Sequence, residues 1–78
     1  MNLEARASSA FAGVDQLRSQ QQAQGLDVRG DILAATSRLH QQLNEVRRAL
    51  NERDLETAND YMNRAEEETA RLEKFLGR

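Results

Sequence analysis

Two apolar stripes separated by a very short link constrain this chain more than any other feature of its sequence. Ile32, Thr36, Leu39, Leu43, Val46 and Leu50 recur at alternating steps of four and three, and so do Leu55, Ala58, Met62, Ala65, Thr69, Leu72 and Leu76. That spacing puts each set on one face of a helix, in the a/d pattern of a coiled-coil seam. Only Asn51, Glu52, Arg53 and Asp54 lie between them. So short a link permits little except an antiparallel return, and the spacing predicts a helical hairpin with helices over about 31–51 and 55–76. Counting outward from the turn sets Leu50 beside Leu55, Val46 beside Ala58, Leu43 beside Met62, Leu39 beside Ala65, Thr36 beside Thr69 and Ile32 beside Leu72. Large residues mostly face small ones, which suits close helix packing.

The ends of the hairpin carry their own signals. Asp54 is placed to cap the second helix with its carboxylate, Glu56 adds favourable charge in the first turn, and Gly77 marks the stop. Asp31, after Gly30, is the expected cap of the first. Upstream, Leu3, Ala7, Ala10, Val14 and Leu17 form a third stripe with Phe11 beside it and Asn2 as a candidate cap, predicting a helix over about 3–23. The stripe fades into Gln20, Gln21, Gln22 and Gln24, a solvated end, before the connector 25–30 bounded by Gly25 and Gly30. The expected fold is therefore all-α and one domain over 1–78, divided into an N-terminal helix (1–24), a connector (25–30) and the hairpin (31–78). Folded back, the first helix completes a three-helix bundle; swung out, it leaves a hairpin-based oligomer.

Composition narrows the functional classes. A chain of 78 residues sustains one small core, and with no Cys and a single His it has neither disulfide nor metal staple, so a protein partner or a second copy is a natural support. There is no Pro, and few residues are aromatic, as expected of long helices. No apolar run approaches the roughly 18 residues of a membrane span, and no basic stretch followed by an apolar one reads as a secretory signal. Together with the missing Cys, this favours a cytoplasmic setting. The net charge of −2 arises from acidic and basic groups mixed along the chain, which gives no field to attract nucleic acid.

Nothing in the sequence assembles a reaction site. His40 flanks the seam, but a metal would want a second ligand three or four residues on, and those positions are Leu43 and Asn44. Glu66, Glu67 and Glu68 point in three directions on a helix and read as a solvated face; Glu67 with Arg71 and Asp60 with Arg64 have the spacing of helix-stabilising pairs. Arg47, Arg48 and Arg53 gather near a helix end, with Glu45, Glu52 and Asp54 close enough to neutralise them. Ser8, Ser9, Ser19 and Ser37 have no base at a spacing that activates them, and Gly25 to Gly30 lacks the Lys and Ser or Thr of a phosphate loop. No catalytic residue, cofactor, metal or small-molecule substrate is expected, and the chain does not read as an enzyme.

The run from Ala49 to Ala58, continuing to Tyr61, Met62 and Ala65, resembles the turn and second helix of one tetratricopeptide unit. The resemblance covers less than a third of the chain. It departs at Val46 and Ala49, where the family expects small and aromatic residues, and there is no second unit to form a groove, so it implies no peptide-binding site here. The expected function is a structural or protein-interaction module that self-associates or docks through apolar helix faces. The expected contact residues are Leu3, Phe11, Val14, Leu17, Leu26 and Val28, whose burial the hairpin explains least. The alternative is a small regulatory adaptor that binds another protein or nucleic acid through a charged helical face at Arg47 and Arg48.

Overall fold

In a computed structural model that describes residues 3–77, the chain forms three helices: α1 (Leu3–Ala23), α2 (Gly30–Asn51) and α3 (Leu55–Phe75). These bounds lie within one residue of those the apolar periodicity predicts. Asn2, the expected cap of α1, is outside the described residues. α2 and α3 pack closely as the antiparallel hairpin, and α1 folds back onto it. Glu4 reaches Arg47 near the far end of α2 and Phe11 meets His40 further back, so α1 runs antiparallel to α2 and completes an up-down-up bundle. The bundle is a rod measuring 46 × 19 × 16 Å.

The three stripes meet in one core. Leu3, Ala7, Ala10 and Val14 of α1 join Ala35, Leu39 and Leu43 of α2 and Ala65 and Leu72 of α3, with Phe11, Ile32, Met62 and Leu76 packed at its edge. Leu39 and Leu72 are fully buried and supply the largest aliphatic contribution, of the order of 2–3 kcal/mol each by transfer from water. α1 contributes mostly small side chains, and Gly13 is buried among them. That buried face lets a weakly patterned helix contribute to the core.

Both connections use the same backbone solution. After α1, Leu26 N–H bonds Gln21 O at 2.8 Å and Gly25 N–H bonds Gln22 O at 3.0 Å, with Gly25 at φ 76°. After α2, Asp54 N–H bonds Ala49 O at 2.8 Å and Arg53 N–H bonds Leu50 O at 3.0 Å. Each is a Schellman motif, which requires a left-handed residue after the helix cap. In the second turn that residue is Arg53, at φ 58°, a conformation unfavourable for a residue with a Cβ by roughly 1–2 kcal/mol. Asp54 then serves two helices, closing α2 with its N–H and capping α3 with its carboxylate, which accepts from Thr57 N–H at 3.1 Å.

Several local expectations are corrected. Asp31 is not the cap of α2: the helix starts one residue earlier, Arg29 holds the cap position, and Asp31 lies in the first turn, accepting from Ile32 N–H at 3.1 Å and from the Arg29 guanidinium at 2.6 Å. There its charge still favours the helix N-terminus. At the hairpin end the buried positions are Ala49 and Ala58, while Leu50 and Leu55 face solvent. Further back Ala35, not Thr36, is the fully buried position of that turn, and Thr36 returns its hydroxyl to Ile32 O at 2.9 Å. Glu68 is not solvated: its side chain is 6% exposed, and its Oε1 accepts from Arg38 on α2 at 3.0 Å and from Arg71 at 2.8 Å. Three residues past Ala65 and four before Leu72, it falls on the buried face of α3. Arg71 is thereby taken by Glu68 instead of Glu67, whereas Asp60 and Arg64 pair as expected at 3.0 Å.

Candidate functional site

The structure divides the six expected contact residues. Leu3, Val14 and Val28 are buried within the chain itself, so their burial needs no partner once α1 is seated. Phe11 and Leu17 are half-buried, and Phe11 lies flat against His40 with ring centroids 3.8 Å apart and planes 2° from parallel. Leu26, at 59%, is open to solvent at the α1 end of the connector. Asp27 beside it binds Arg18 at 3.0 Å and Val28 N–H at 2.7 Å, which holds the connector against α1.

The arginine cluster is largely spent within the chain. Arg48 donates to Glu45 at 2.8 Å and to Glu52 at 3.1 Å, and these two carboxylates push its guanidinium above the usual arginine value. Arg47 lies 3.5 Å from Glu4. Arg6, on the opposite side of α1, donates to Glu73 at 2.7 Å and lies 3.7 Å from Glu66, a clamp that ties α1 to α3 and likewise raises the Arg6 guanidinium. Arg53 makes no ion pair within the described residues. The charged face is therefore a lattice of internal pairs.

Among the concavities of the described residues, two are bordered by the first turns of α1. A groove of about 350 Å³ between α1 and α2 is lined by Glu4, Ser8, Phe11, His40, Leu43, Asn44 and Arg47. It brings Ser8 and His40 to the same groove, which the sequence spacing did not suggest, yet among the described residues no hydrogen bond joins hydroxyl to imidazole, and one face of the ring is covered by Phe11. Nucleophilic catalysis needs that bond, or a geometry that makes it on binding, together with donors for an oxyanion. Among the described residues no group of three His, Cys, Asp or Glu is placed to hold a metal ion, and no helix is long and apolar enough to cross a membrane.

The second concavity is apolar and lies where α1 begins. A cleft of about 290 Å³ is lined by Leu3, Glu4, Leu43, Val46, Leu50 and Met62. Leu3 lies beside Leu43, Val46 and Met62, and the last turn of α2 and the first of α3 extend beyond it as a two-helix tip. On that tip Leu50 is 49% exposed and Leu55 66%. The sequence held only a partial signal for this surface: the α1 stripe, Leu3 to Leu17, is shorter than the α2 stripe, Ile32 to Leu50, while the α2 and α3 stripes both run up to the turn.

The chain matches no protein-family model, no curated protein and no solved structure. The functional reading therefore rests on its surface alone.

Proposed function

We propose that the chain is a non-enzymatic helical interaction module that docks against another polypeptide through the apolar tip of its hairpin. The observation that carries this reading is the joint exposure of Leu50 and Leu55 on either side of one turn, at 49% and 66%, above a cleft that is itself apolar. Scattered exposed leucines are ordinary, but a contiguous apolar patch rimmed by charge is the mark of an interaction surface. Here Glu4 lines the cleft and pairs with Arg47, and exposed Arg53 and Glu56 flank Leu55 along the chain. The tip is also rigid before contact, since the Schellman turn and the Asp54 cap fix its backbone, which limits the ordering cost of association.

Photo-crosslinking tests the reading. With a photoreactive side chain at position 55 of the full chain expressed in cells, a discrete adduct that disappears on Leu50→Glu is expected. Absence of any adduct above the monomer overturns the tip as a docking surface.

A further inference from the structure

We infer that the occupant of this tip is a second copy of the same chain, packed about a two-fold axis close to Leu55. The inference rests on the docking reading above and identifies its partner. A partner of uniform charge would be met by charge of one sign, but the tip presents both. Around it Arg48 is held by Glu45 and Glu52, Arg47 by Glu4, and Asp54 is committed to Thr57. Within the described residues that leaves Arg53 and Glu56 without an ion pair or side-chain hydrogen bond, one of each sign, on either side of Leu55. This composition is self-complementary in a two-fold contact, because in it residue i of one copy meets residue j of the other and j meets i. With Leu55 against Leu55 of the second copy, Arg53 of each copy is free to pair with Glu56 of the other, twice over.

The size of the tip sets the strength of the contact. The rod is only 19 × 16 Å across, an end far smaller than the roughly 800 Å² per partner of a standard interface. Association is therefore weak and reverses on dilution.

Sedimentation equilibrium of the full chain over a wide concentration range is the test. The wild type is expected to shift from monomer to dimer as concentration rises. R53E and E56R each replace two attractions with two repulsions and should weaken the dimer about tenfold. An equimolar mixture of R53E and E56R restores both attractions in the mixed dimer, so its association should return to within about threefold of wild type. Leu55→Glu should abolish dimerisation without changing the helical circular dichroism, because the residue is exposed. A chain monomeric at every concentration, or a dimer indifferent to Leu55→Glu, or a mixture no stronger than its components, overturns the inference. The docking reading fails separately, only if position 55 crosslinks to nothing; an adduct with a different protein keeps that reading and removes the second copy.

Discussion

The α2–α3 hairpin and helix α1 are two different ways of making a helix belong to a core. The hairpin is strongly patterned: large aliphatics at Leu39, Leu43 and Leu72 face small residues such as Ala65, a short turn enforces the pairing, and the Arg38–Glu68–Arg71 cluster bridges the two helices along one side. α1 has little amphipathic pattern and is seated by Ala7, Ala10 and Gly13, by Val14, and by the Arg6 clamp on Glu73. The difference teaches that the hairpin is held by a seam of large aliphatics against small residues along both helices, and α1 by fewer, mostly small buried side chains together with the Arg6 clamp. The hairpin tolerates truncation poorly and α1 tolerates enlargement poorly.

Reciprocal substitutions break that comparison most forcefully. Leu72→Ala should cost about 2–5 kcal/mol in urea unfolding, since it empties a fully buried site against all three helices. Ala10→Leu should cost about 1–3 kcal/mol by forcing α1 off its seat, while Ala12→Leu, on the exposed side of the same helix, should be nearly neutral. Equal effects of Ala10→Leu and Ala12→Leu would mean that the Ala10 side of α1 is not packed against the hairpin.

Smaller effects separate the two turns. Gly25 and Arg53 occupy the same left-handed position of the same motif, so Arg53→Gly should stabilise the monomer by up to about 1 kcal/mol. The same substitution should weaken the dimer by removing its charge, and this opposition between stability and association is the sharpest single contrast available. A variant that gained stability and kept its dimer would show that the charge at 53 has no intermolecular role.

Acid should report on the second turn. The Thr57 hydroxyl, and then its backbone N–H, hold the Asp54 carboxyl below its ordinary value of 3.8. A depressed carboxyl stabilises the fold while ionised, so its contribution is complete above that ordinary value and is lost as pH falls through the lower folded value. Asp31, lowered chiefly by Arg29, acts in the same direction at the start of α2. Asp54→Ala should lower Tm by a few degrees near neutrality and flatten its decline below pH 3.8.

The elements themselves were legible because apolar periodicity over a whole helix averages out single-residue noise. The hairpin was legible because Asn51 to Asp54 leave no other path. Register was less so. An a/d count assigns about one residue per turn, but helices in a three-helix bundle bury a wider face, which is why Glu68 and Ala49 are inside, while Leu50, at the hairpin end, is out. The seat of α1 was open at the sequence level because Ala and Gly score weakly as apolar, although they are the residues that permit contact. The Phe11–His40 stack and the exposure of the tip depend on how α1 is seated along the hairpin, and only the assembled bundle fixes that.

The length of the rod has a hydrodynamic consequence. Its radius of gyration is 13.7 Å, against about 11.5 Å for a compact domain of this many residues. A monomer so elongated travels through a sieving matrix ahead of its mass and tumbles more slowly end over end than about its axis. Elution volume alone would thus resemble that of a dimer even where none forms, whereas the absolute mass, or the anisotropy of rotational diffusion, distinguishes one rod from two joined at their tips.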